Sequence, residues 1–270
     1  GVIHNDNDIT PQTVYAVGGR NHTGILDVME ILDHQRGTWS TGPSMQEARW
    51  NMGVAALDRK LIVLGGEDQT FTTLKSVEIY DPQNKLWTSG VSMTTPRQGC
   101  GACALDDGKV YVMGGIDAQG NHLNTLEIFD PVTQEWSQGP HMLSSHIYIG
   151  NSVSVFQGKI YVVDTGSSAK PTTSTTTTAA EKTTAEVGDQ LSRYSSYVTG
   201  GSNSRRSVEI FDPVTQKWSV GPILDGNLLA LGSSVLDNEL YAVGGYNIDE
   251  RAPTKNVSVL THSLTTYLAT

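Results

Sequence analysis

Cys100 and Cys103 raise the first chemical question, because a C-x-x-C pair can serve as a redox dithiol or as half of a zinc site. A redox pair of that kind opens a helix, and a zinc site needs a second pair or closely spaced histidines. Here the intervening Gly101-Ala102 suits a small-residue strand, on which positions three apart face opposite ways. Both thiols are therefore expected to be small buried core groups. The seven histidines, from His4 to His262, show no metal-ligand spacing. No nucleophile elbow, P-loop or dinucleotide fingerprint occurs, so no cofactor and no catalytic residue is expected.

Carboxylates offer the next candidates, since Glu30, Glu78, Glu127 and Glu209 stand nine residues ahead of Trp39, Trp87, Trp136 and Trp218. One active site does not need several copies of the same residue. Each Glu is followed by Ile on an alternating strand, so the series reads as hydrogen-bond partners joining neighbouring units or a strand to a turn. In the last copy Ser258 and Tyr267 replace the Glu and the Trp.

The elements that hold these residues form a repeat. Glycine pairs at Gly18-Gly19, Gly65-Gly66, Gly114-Gly115 and Gly244-Gly245 each close an apolar, β-branched run, whereas Gly200-Gly201 follows the weaker Ser195-Ser196-Tyr197-Val198-Thr199 and the apolar run Ile160 to Val163 has no pair after it. The Glu-to-Trp distance is constant and marks a tight hairpin, whereas the glycine-to-Glu distance varies and marks a surface loop. Strands are expected near Gly1 to His4, Val14 to Val17, Met29 to Leu32, Thr38 to Ser40 and Gly53 to Leu57. Each unit thus reads as four antiparallel strands, the first of small residues. Units of roughly 47 to 50 residues cannot bury both faces of a sheet alone, so they must stack. Small residues on the first strand and Trp on the last suit radial packing about an axis. The fold class is all-β, a β-propeller of four-stranded antiparallel blades occupying residues 1–270 as a single domain.

The run from glycine pair through apolar-Glu-apolar-aromatic-Asp-Pro to Trp resembles the kelch repeat, most closely in SVEIYDPQNKLW, TLEIFDPVTQEW and SVEIFDPVTQKW. Five kelch repeats are visible; the array either closes as five blades or is an incomplete six-bladed propeller. Between Val163 and Gly200 the fourth copy is interrupted by a Thr-rich stretch with almost no apolar content. Residues 164–199 read as a disordered insertion within that unit.

Composition bounds the partners. With 28 acidic and 18 basic residues the net charge is -10, which argues against general nucleic-acid or anionic-membrane binding. No apolar run is long enough to span a bilayer. The chain begins at Gly1, which reads as processing or truncation. The free cysteines favour the cytoplasm.

The resemblance implies an adaptor or scaffold whose protein or peptide ligand docks on the loop face. That face comprises the loops after the glycine pairs and the loops entering the next first strand. Arg20, Asn21, Asn203 and Tyr246 fall in the first set; Arg49, Trp50, Asn51, Arg97, Gln98, His146 and Tyr148 fall in the second. Arg49, Arg97 and His146 share one register and are expected to converge with Arg20, which points to an acidic ligand. Two other readings compete: an extracellular adhesion or carbohydrate-binding propeller, and an enzyme using a central pocket.

Overall fold

The computed structural model describes residues 2–3, 13–33, 35–164, 207–223, 228–229, 232–236, 238–244, 246–247, 252–253 and 257–259. Among these there is no helix, and the strands assemble as successive antiparallel sheets. The first sheet takes Val2–Ile3, Thr13–Val17, Met29–Asp33 and Thr38–Thr41, in that order across the sheet. The second takes Gly53–Leu57, Lys60–Leu64, Val77–Asp81 and Leu86–Ser89; the third takes Gly101–Ala104, Val110–Met113, Leu126–Asp130 and Glu135–Gln138. Val153–Phe156, Lys159–Asp164, Ser207–Asp212 and Lys217–Ile223 form the fourth. The fifth is described by Gly232–Leu236, Glu239–Val243 and Val257–Val259. This is the expected all-β series of four-stranded blades.

The hairpin between third and fourth strands explains the constant Glu-to-Trp spacing. Asp130 Oδ1 accepts the Val132 and Thr133 amides, and Gln134 then takes a left-handed φ of 60°. Asp81 and Asp212 repeat the arrangement, with Lys85 and Gln216 in the left-handed position. The result sets Trp87 opposite Tyr80, Trp136 opposite Phe129 and Trp218 opposite Phe211.

Sheets pack face to face through alternate residues of their strands. Cys100 sits in the core between the second and third sheets with Ala55, Ile62, Val110 and Phe129. Cys103 sits in the following core with Met113, Leu126, Val162 and Trp218. Both cysteines are free and buried. The two thiols therefore serve opposite sides of the third sheet, Cys103 from within the strand Gly101–Ala104 and Cys100 from the residue just ahead of it. Each fully buried aliphatic side chain in these cores contributes about 1.5–3 kcal/mol.

First strands run beside one another, Gly53–Leu57 against Gly101–Ala104, then Val153–Phe156, then Gly232–Leu236. They line a cavity of about 1490 Å³ walled by small residues such as Ala55, Ala102, Val153 and Ser233. The fifth sheet makes no extended contact with the first among the described residues.

Of the 164–199 stretch only Asp164 belongs to the described residues. Asp164 pairs directly with Ser207, so the chain leaves and re-enters the fourth sheet at one level.

Candidate protein-docking face

The loop leading into each first strand carries the residues expected to dock a ligand, and the structure divides them into two groups. Arg49 and Arg97 are fully buried, and His146 nearly so. The Arg97 carbonyl accepts the Gly66 amide at 2.8 Å. Gly65, at φ 64°, leaves room for that carbonyl, since a Cβ at 65 would collide with it. This contact holds the loop on the second sheet and turns the side chain into the third. There Arg97 Nη2 and Nε donate to Glu127 Oε1 at 2.8 and 3.2 Å, and Nη1 donates to the carbonyls of Gly114 and Thr125.

Arg49 repeats this one sheet earlier. Its Nη2 donates to Glu78 Oε1 at 2.8 Å and its Nη1 to the Gly65 and Ser76 carbonyls. His146 Nε2 lies 3.0 Å from Glu209 Oε1. Each Glu also accepts loop amides: Gln46 and Glu47 for Glu78, Thr94 and Thr95 for Glu127, Leu143 for Glu209. The carboxylates thus join neighbouring sheets. This corrects the placement expected for Arg49, Arg97 and His146: they clamp one sheet to the next and present nothing to a ligand.

Burial pushes the Glu127 carboxyl up, but the Thr94 and Arg97 hydrogen bonds and the Arg97 charge outweigh it. Its pKa therefore falls below the ordinary carboxylate value.

The residue after each Arg takes the outward course. Trp50 and Gln98 form short antiparallel bridges with Glu67 and Ile116, capping the sheet ends. Leu228–Leu229, Tyr246–Asn247 and Ala252–Pro253 form the corresponding three-stranded cap near the fifth sheet. At the second cap, Glu67 Oε2 accepts Trp50 Nε1 at 2.9 Å and Oε1 accepts Gln98 Nε2 at 2.6 Å. Burial raises the Glu67 pKa, opposed by those two hydrogen bonds and by the Arg20 charge.

Arg20 lies across this cap from the short hairpin of Arg20–Asn21 and Gly24–Ile25. Its guanidinium carbon is 5.3 Å from the Trp50 ring centroid and 5.5 Å from that of Phe71. Phe71 is exposed and held at a left-handed φ of 60° by a loop in which Asp68 Oδ1 accepts the Thr70 and Thr72 amides. The guanidinium thus lies over both rings within cation–π range, and the Arg20 side chain has no hydrogen-bond partner among the described residues. Phe71 was missed by the sequence reading; the signal was one aromatic inside the polar loop EDQTFTT.

Asn21 is exposed and turns back on Thr23 through its Oδ1. Asn51 and Tyr148, both at positive φ, line the cavity beside the first strands. Asn203 lies outside the described residues, as does the side chain of Tyr246. The structure thus brings Arg20, Trp50 and Gln98 together around Glu67 and Phe71, and sends Asn51 and Tyr148 to the cavity. Among the described residues no group of His, Cys, Asp or Glu is placed to hold a metal ion, and no helix could cross a membrane.

A family model described as the KLHDC2/KLHL20/DRC7 Kelch-repeats domain matches residues 7–163, more than half of the chain. The chain belongs to this kelch-repeat family. A second model, the Kelch motif, matches residues 197–224 of the kelch domain and takes in the last two strands of its fourth sheet. No curated protein matches the kelch domain. Kelch repeats mediate protein–protein interaction, and the four-stranded sheets are the blades of that family's β-propeller.

Proposed function

We propose that this kelch domain is an adaptor or scaffold module without chemistry of its own, and that it docks an acidic peptide segment on its loop face. The observation that carries the reading is Arg20, whose guanidinium lies over the Trp50 ring and the exposed Phe71 ring with no side-chain hydrogen-bond partner among the described residues. A carboxylate on the incoming segment meets that guanidinium, while Phe71 and Trp50 supply apolar area around the ion pair. Gln98 fixes Glu67 against Trp50 and so sets the ring on which Arg20 rests. Asn21 borders the same loop, and Asn51 and Tyr148 extend the surface toward the cavity. The cytoplasm suits the domain, since its two free thiols tolerate a reducing compartment.

An array of short peptides graded in Asp and Glu content tests this. Retention is expected to rise with acidic content, to weaken with salt, and to fall about tenfold or more in Arg20→Ala. The melting temperature should hardly change, because Arg20 is exposed. Retention indifferent to both acidic content and Arg20→Ala would sink the proposal.

A further inference from the structure

The position after each glycine pair shows what a sheet cap needs. Glu67 and Ile116 occupy it in the second and third sheets and make matching backbone bridges, Glu67 to Trp50 and Thr73, Ile116 to Gln98 and His122. Ile116 is 5 % exposed and Glu67 9 %. An aliphatic side chain therefore fills this place, and the cap itself requires no carboxylate. Burying one costs free energy that packing does not return. Glu67 must serve something other than the fold, and it lies under the proposed docking face.

Its two oxygens meet different donors. Oε2 accepts Trp50 Nε1 at 2.9 Å, at the edge of the ring whose face carries Arg20, and Oε1 accepts Gln98 Nε2 at 2.6 Å. Among the described residues the charged groups that act on Glu67 are Arg20 and Asp68. The Arg20 charge thus has a resident counterpart, although no hydrogen bond joins the two. A ligand carboxylate arriving at Arg20 brings a second negative charge to the same cation. Two carboxylates sharing one site disfavour double ionisation, so one of them takes a proton. Glu67 is suited to be that one, because burial already disfavours its charged form. Gln98 accommodates either state by turning its amide end for end. Facing the carboxylate it donates from Nε2; facing the acid it accepts the new O–H on its carbonyl oxygen, while Oε2 keeps the indole hydrogen bond.

We propose that Glu67 is the resident countercharge of Arg20 and takes up one proton from solvent when an acidic segment docks, so that Glu67 sets how strongly, and at what pH, the face holds its ligand. The inference rests on Arg20 being the docking cation. Burial raises the Glu67 pKa above the ordinary carboxylate value. Above that raised value Glu67 is ionised and competes with the ligand; as pH falls through it, the competition ends. Asp68 lies on the same loop, but the Thr72 amide and its other hydrogen bonds hold its carboxyl below the ordinary range. It stays ionised across the window in which Glu67 changes.

Binding of a fluorescent oligo-aspartate peptide, followed from about pH 7.5 down to about pH 5, tests the proposal. Glu67→Gln removes the charge and keeps an acceptor for Trp50. It should bind about three- to tenfold more tightly than wild type at neutral pH. The ratio of the two affinities cancels the titration of the peptide itself and should fall toward one on acidification. Calorimetric titration in two buffers of different ionisation enthalpy should show proton uptake in wild type and none in Glu67→Gln. Arg20→Ala/Glu67→Gln should bind no more tightly than Arg20→Ala, because the competition needs the cation. Should Gln at position 67 loosen the cap, seen as a lowered melting temperature, Glu67→Ile repeats the comparison with the residue type of the third cap. If Arg20→Ala leaves wild-type binding unchanged, the docking reading fails and this inference with it. If Arg20→Ala weakens binding but neutral residues at position 67 do not strengthen it, or the ratio is the same at both ends of the pH range, this inference alone is overturned.

Discussion

Arg97→Ala is expected to lower the unfolding free energy by about 3–5 kcal/mol, measured by urea denaturation at neutral pH. Removing the guanidinium leaves Glu127 as a buried carboxylate held only by Thr94 and Thr95, and strips the Gly114 and Thr125 carbonyls of a donor. Breaking one side of a buried pair costs more than the pair itself contributes, so Arg97→Met with Glu127→Leu should recover much of the loss. Acid gives an independent check. In the wild type the Glu127 pKa is depressed, so its contribution is full above the ordinary carboxylate range and fades as pH falls through the folded value. Without Arg97 the desolvation by burial is opposed by the Thr94 hydrogen bonds but no longer by the Arg97 hydrogen bond and charge. The gap between wild type and variant should therefore narrow on acidification. A loss under about 1 kcal/mol, typical of exposed pairs, would mean that Arg97 is not a clamp.

Trp87→Ala should cost about 3–5 kcal/mol, while Trp39→Ala should cost under about 1 kcal/mol. The same residue type at the same register meets two environments. Trp87 packs against Tyr80 with ring centroids 5.2 Å apart and donates from Nε1 to the Pro43 carbonyl of the preceding unit at 2.9 Å. Trp136 and Trp218 make the same reach, to Val91 and Pro140. Trp39 has no preceding sheet over it among the described residues and remains half exposed. Equal costs at the two positions, read from thermal or urea unfolding, would show that the first sheet is covered after all.

Much of this architecture was legible because period-two patterning, glycine pairs and Asp-Pro steps are local signals. Gly53–Leu57 was placed residue for residue, and the others to within a residue or two. Local signals do not say which way a loop side chain turns. Arg49 and Arg97 were read as outward because they lie in connecting segments, where polar groups usually face water. Their backbone carbonyls instead dock on the glycine pair of their own sheet, and the side chains pass inward to the next one. A clue did exist in the sequence: the copy that lacks Glu, at Ser258, is preceded by a unit lacking the cation, at Leu228. The Arg20 cluster was half visible. Arg20, Trp50 and Gln98 stand out in the sequence by their chemistry, but their meeting around Glu67 depends on hydrogen bonds between residues 17 and 31 positions apart, beyond any local pattern.

The most direct test of the docking face places a photoreactive phenylalanine analogue at position 71 in one chain and at position 132 in another. Phe71 and Val132 are both exposed, but they sit at opposite ends of their sheets, in a loop after a glycine pair and in a hairpin after Asp-Pro. An acidic peptide retained on the array should cross-link from position 71 and not from 132, and Arg20→Ala should abolish the cross-link. Cross-linking from position 132 alone, or equally from both positions whatever stands at position 20, would contradict a docking site built on Arg20, Trp50 and Phe71.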